Sequence, residues 1–138
     1  MTRLLAIDHG SRRIGVALAD SETGIAFARP ALRRLRGSSD AARVADLARG
    51  EQVQRVVVGL PLNMDGSEGA QAAAARSFGG ELAAIGLEVV FVDERLSSWG
   101  ARQQLANAGR RPTRQSGELD SAAAALILQQ YLDTEESL

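Results

Sequence analysis

The sequence predicts an α/β fold, a mixed five-stranded sheet with helices on its faces. Three observations carry that expectation. Alternating apolar runs separated by turn residues mark hairpins in the first 32 residues. Two later apolar runs, Val53–Leu60 and Leu87–Val92, each follow a segment of helical period, the order expected of helical crossovers. The 138 residues are 45% hydrophobic and 24% charged, an ordinary globular composition for one domain spanning 1–138.

Arg3–Asp8 reads as a strand that ends on an acid, Gly10-Ser11-Arg12-Arg13 as a turn, and Ile14–Ala19 as the second strand. Ser21–Gly24 turns the chain into a third strand, Ile25–Leu32, which Pro30 places at an edge or near its end. Gly37-Ser38-Ser39 opens a helix with Ala41, Val44, Leu47 and Ala48 on one face. The β-branched run within Val53–Leu60 marks a strand buried on both faces. After the loop Pro61–Ser67, a second helix carries Ala75, Phe78, Leu82 and Ile85, and Gly86 stops it. Leu87–Val92 is the fifth strand, followed by Asp93-Glu94. Ser97 or Ser98 caps a further helix that runs to Gly109, Arg110–Ser116 forms a basic loop, and Leu119–Leu132 is the final helix before an acidic tail from about residue 133. The phenylalanines fit core stripes. The apolar runs are too short to cross a bilayer, and no secretory core precedes the first acid, so the expectation is a cytoplasmic protein with no membrane partner.

The missing residue types narrow the chemistry. There is no cysteine, one histidine (His9) and no lysine, all 16 basic residues being arginine. Thiol chemistry, imidazole-based zinc sites, the Walker lysine and Schiff bases are thereby excluded. A catalytic metal has to be held mainly by oxygen, which points to magnesium, manganese or calcium. A net charge of −1 excludes a uniformly basic nucleic-acid binder but not local basic patches.

Asp8 and Asp93-Glu94 lie where core strands run out, the place where open α/β sheets gather functional groups. Asp120 shares a helical face with Ala123, Ala124, Ile127 and Leu128, small residues that allow close approach to the sheet. It is either a third member of an acidic set or an N-terminal dipole acid worth about 0.3–1 kcal/mol. Three converging carboxylates repel one another unless cations join them. A pair of divalent ions would also activate water and stabilise a leaving oxygen in phosphodiester cleavage.

Four blocks carry a family resemblance: Asp8-His9-Gly10-Ser11-Arg12-Arg13-Ile14-Gly15-Val16-Ala17, Val58–Gly69, Val92-Asp93-Glu94-Arg95-Leu96-Ser97-Ser98, and Asp120-Ser121-Ala122-Ala123. In order and spacing they resemble the signature blocks of the YqgF/RuvX family and cover nearly the whole chain. The resemblance implies an RNase H-like fold related to RuvC junction resolvases, and a nuclease that matures the 5′ end of pre-16S ribosomal RNA. The alternatives are a Holliday junction or branched-DNA resolvase, also carried by the resemblance, and, in another class, a non-catalytic ribosome-assembly or nucleic-acid-binding factor. The resemblance implies Asp8, Glu94 and Asp120 as the catalytic, metal-binding acids, with Asp93 as a substitute for Glu94. Mg2+ or Mn2+ follows as the cofactor, as a pair of ions. The partner implied is nucleic acid, bound by a monomer or homodimer. Asp-x-Gly before a hairpin also resembles the first phosphate loop of actin-like sugar kinases, which use two such domains where this chain supplies one.

Substrate contacts fall on further positions. Arg12 and Arg13 follow Asp8 and can hold a phosphate, although strand alternation sends one of them elsewhere. Asn63 and Ser67 lie in the loop that precedes a helix N-terminus, where backbone N–H groups can meet a phosphate. Arg95 adjoins the acidic pair, either as a substrate contact or as its ion-pair partner. Arg110, Arg111 and Arg114, and the run Arg33-Arg34-Arg36, grip a nucleic-acid backbone or form solvated surface. His9 reads as a bystander, and Trp99 as the exposed aromatic.

Overall fold

The computed structural model describes residues 2–35, 39–93 and 118–136, with side chains in the last segment described for 121–134. The strands are β1 (Arg3–His9), β2 (Arg13–Asp20), β3 (Phe27–Arg33), β4 (Arg55–Leu60) and β5 (Glu88–Asp93). The described helices are α1 (Asp40–Gly50), α2 (Ala70–Ile85) and α3 (Glu118–Glu136). They form the expected mixed sheet, in the order β3-β2-β1-β4-β5. The hairpin pairs β1–β2 and β2–β3 are antiparallel, and the crossover pairs β1–β4 and β4–β5 are parallel. The expected helix from Ser97 or Ser98 to Gly109 and the basic loop after it lie outside the described residues.

Strand alternation divides the core into two layers. Leu5, Ile7, Val56 and Val58 pack with Val44 of α1 and with Phe78 and Leu82 of α2. Leu4, Ala6, Ala17 and Val57 pack with Ala124, Ile127 and Leu128 of α3 on the other face. Ser39 caps α1, its Oγ accepting from Ala42 N–H at 3.2 Å. Gly86 ends α2 at φ 112°, a left-handed conformation open to glycine. Ile85, expected on the buried stripe of α2, is exposed beside that stop, and the stripe takes in Ala72 and Gly79 instead.

β3 is the edge strand, as Pro30 requires, and its first four residues are exposed. Phe27 is therefore a correction to the core assignment of the phenylalanines: it is 58% exposed, whereas Phe78 is buried. The β2–β3 register changes between Ile14 and Val16, so that β3 carries one extra residue in its Pro30–Ala31 stretch. That is a β-bulge, placed where proline supplies no N–H to the ladder.

The β1–β2 turn is closed by Gly10 N–H donating to Arg13 O at 3.0 Å. A Cβ at Gly10 would stand 2.6 Å from that same carbonyl oxygen, so the backbone would have to move. Gly10→Ala should cost about 1–3 kcal/mol in urea unfolding. An unchanged midpoint would show that the turn absorbs the methyl group.

Candidate active site

Asp8 is half-buried, one residue past the last paired position of β1 with β4. It follows Leu4 and Ala6 in strand parity and so belongs to the α3 face. Directly across on β2 is Gly15. On β4, Gly59 follows the Ile7–Val58 pair and shares the parity of Val57, again the α3 face. Asp8 thus stands between two buried glycines on its own face of the sheet. Strand glycines of this kind mark a place of close approach.

α3 begins over this spot. Ser121, buried in the helix's first turns, has its Oγ accepting from Val16 N–H at 3.4 Å, one residue from the Asp8–Gly15 pair. Ala123, Ala124, Ile127 and Leu128 are buried against the sheet as the periodicity requires. Asp120 occupies the helix's first turn, adjacent to that anchor. Ser121 and Gly15 stand in the family blocks without a role of their own in the sequence reading, which took Gly59 as part of a phosphate-facing loop; a glycine near the end of each of two alternating strands was the available signal.

Asp93 ends β5 with the parity of Val89 and Phe91, which pack on the α1/α2 side, whereas Val92 packs on the α3 side. Asp93 and Asp8 therefore belong to opposite faces. Glu94, Arg95, Ser97, Ser98, Trp99, Arg110, Arg111 and Arg114 lie outside the described residues. Among the described residues no three acids converge.

His9 follows Ile7 in parity, and its ring meets Phe78 of α2 at 4.7 Å between centroids. It stands on the face away from Asp8, in keeping with its reading as a bystander. Burial pushes its pKa down, the Arg34 charge adds to this, and Asp40 opposes it. Arg13 is half-buried on the α3 parity, and Arg12 is exposed in the turn. Arg34 of the basic run is structural. It donates to Asp40 Oδ2 and to Gly10 O, both at 3.2 Å, and so ties α1 to the turn. Asn63 and Ser67 are exposed and joined: Asn63 Nδ2 donates to Ser67 Oγ at 3.0 Å, and Ser67 Oγ donates to Asp65 Oδ1. The loop leads into Gly69, which gives α2 no side-chain cap.

A family profile described as "RuvX: Holliday junction resolvase" matches residues 2–134. The chain belongs to the RuvX family. A relative from Anaeromyxobacter dehalogenans, named "Putative pre-16S rRNA nuclease", is 46% identical over 132 residues, covering 95% of this chain and 96% of its own. One of the same name from Mesorhizobium japonicum is 43% identical over 136 residues, covering 98% of this chain and 82% of its own. Among solved structures, Thermus thermophilus RuvC in complex with a Holliday junction substrate superposes with a TM-score of 0.59 at 14% identity, covering 99% and 96% of the two chains. Fowlpox virus resolvase with its junction DNA gives 0.60 at 9% identity, covering 97% and 99%. At such identities the likeness concerns the fold, and it places this RuvX chain in the RNase H-like class, as its four sequence blocks implied.

The lowered pKa of His9 has a defined consequence for this RuvX chain. As pH falls through 6.5, the unfolded chain takes up the proton before the folded one does. Stability is untouched by His9 above that pH and declines below it. His9→Phe, which keeps a ring on Phe78, should flatten the decline between about pH 6.5 and 5 in urea titrations while leaving the pH 8 value within about 1 kcal/mol. An identical decline in the variant would assign the loss to other groups.

Proposed function

We propose that the chain is a divalent-metal-dependent nuclease that hydrolyses a phosphodiester bond at the 5′ end of precursor small-subunit ribosomal RNA. Membership of the RuvX family makes it a hydrolase of phosphodiester bonds, and its full-length relatives carry the ribosomal RNA name. The observation that carries the reading is Asp8 between Gly15 and Gly59, beneath the start of α3. A divalent ion fits there. The cross-strand positions Gly15 and Gly59 carry no side chain, the donor described there is the Asp8 carboxylate, and the lone imidazole is turned to the other face.

In this reading Asp8, Glu94 and Asp120 hold a pair of Mg2+ or Mn2+ ions. Such a pair supplies an activated water and neutralises charge on the leaving oxygen. Glu94 is preferred to Asp93 because Asp93 belongs to the face of the sheet opposite Asp8. Arg12, in the turn beside Asp8, holds the scissile phosphate, and Arg13, on Asp8's face, contacts the substrate backbone next to it. The loop of Asn63 and Ser67, stiffened by its own hydrogen bonds, meets the substrate with the backbone N–H groups ahead of α2. Arg95, Arg110, Arg111 and Arg114 contact the flanking backbone.

The family description names a Holliday junction resolvase, so one preparation should be offered both precursor RNA and a synthetic four-way junction with either metal. Cleavage of the RNA alone is expected; cleavage of the junction alone overturns the substrate assignment. Altering groups behind a metal ligand already costs about 10–100-fold, so Asp8→Asn should cost more, with folding unchanged. Wild-type turnover in that variant defeats the metal site. Asp120→Asn should impair turnover while metal-free stability holds or rises. Normal turnover with a loss of about 0.3–1 kcal/mol would make Asp120 a dipole acid only.

A further inference from the structure

Five arginines meet at the corner formed by the β1–β2 turn, the end of β3 and the start of α1: Arg12, Arg13, Arg33, Arg34 and Arg43. One buried carboxylate serves two of them. Asp40 accepts from Arg34 at 3.2 Å and from Arg43 at 2.9 Å. Arg33 is exposed, and its guanidinium has no ion-pair partner among the described residues. Its backbone is nonetheless fixed. Arg43 Nη1 donates to Arg33 O at 2.8 Å, and the next residue's N–H donates to Arg12 O at 2.9 Å.

The bulge decides which face Arg33 takes. Before it, Phe27 pairs with Leu18 and Arg29 with Val16, both of the α1/α2 side, and Arg29 reaches Glu51 at the end of α1. Simple alternation from Arg29 would send Arg33 to that side too. The extra residue at Pro30–Ala31 reverses the parity: Leu32 pairs with Ile14 on the α1/α2 side, and Arg33 pairs with Arg13 on the α3 side. Two arginines thus stand directly across from each other on Asp8's face.

We infer that the β3 bulge turns Arg33 onto the catalytic face to form, with Arg13, a clamp for a backbone phosphate of the nucleic-acid substrate away from the scissile bond. The inference rests on the proposed nuclease reading. A phosphate reached by two guanidinium forks receives charge-assisted, bidentate contacts. β3 is two strands from β1, about 10 Å, which is about three nucleotides of a stacked strand at 3.4 Å each. The clamp therefore sets where the strand lies and leaves the chemistry to the acids.

The test measures metal-free binding of a short single-stranded RNA against salt, alongside metal-dependent cleavage. Arg33→Gln should make the log–log salt slope shallower by about 0.7, the value of one phosphate contact on a single strand. It should raise KM with kcat held, and Arg33→Lys should restore the slope. Arg29→Gln, the same charge change on the opposite face of the same strand, should leave the slope alone. An unchanged slope in Arg33→Gln, or an equal change in Arg29→Gln, overturns the clamp. Cleavage with an unshifted slope defeats the clamp and keeps the nuclease. A shifted slope with no cleavage by any variant keeps the clamp and defeats the nuclease.

Discussion

β1 is buried on both faces of the sheet, and the arrangement of the site depends on that double burial. Leu5 and Ile7 pack under α1 and α2, and Leu4 and Ala6 pack under α3, all within 4% of full burial. A slip of one residue would exchange the two sets and send Asp8 to the crowded side. Each large aliphatic side chain contributes about 1.5–3 kcal/mol on full burial, so the register is strongly held. Once it is held, the residues after Ile7 have no freedom of face. Asp8 goes to α3 and its glycine-lined floor, and His9 goes to Phe78.

The turn that follows those two residues is held by charge instead of packing. Burial raises the pKa of Asp40, but hydrogen bonds from Arg34, Arg43 and the Leu35 N–H outweigh it and keep the carboxylate ionised. Arg34 passes this hold on to Gly10 O. Neighbouring arginines of one run therefore differ: Arg34 fixes the frame, and Arg33, with no ion-pair partner among the described residues, takes the face of Asp8.

The sheet was legible in the sequence because hairpin turns and crossover helices leave local marks. Gly10-Ser11, Ser21–Gly24, the Ser39 cap and Gly86 each sit where the structure uses them. Asp8 was legible because it ends a run that is apolar on both faces. What escaped depends on partners distant in sequence. The bulge opposite Gly15 cannot be seen from Pro30 alone, so the face of Arg33 could not be read, and the exposure of Phe27 follows from which side of the edge strand it takes. The Ser121 anchor joins residues 105 apart. That Asp93 lies on the face opposite Asp8 follows only from the packing of both layers.

The two layers also differ in thickness, and this bears on the chemistry. Under α1 and α2 the sheet presents Leu, Ile and Val; under α3 it presents mainly Ala6, Ala17 and Ala19, met by Ala123 and Ala124. A helix seated on alanines approaches the strands closely, which carries its first turn down to the level of Asp8. Gly15 and Gly59 extend the trend to its limit, at about 0.5–1 kcal/mol each relative to alanine. Small residues on this face lower stability and supply nearness. The proposed carboxylate site would need that nearness, and the larger aliphatic side chains on the opposite face supply stability.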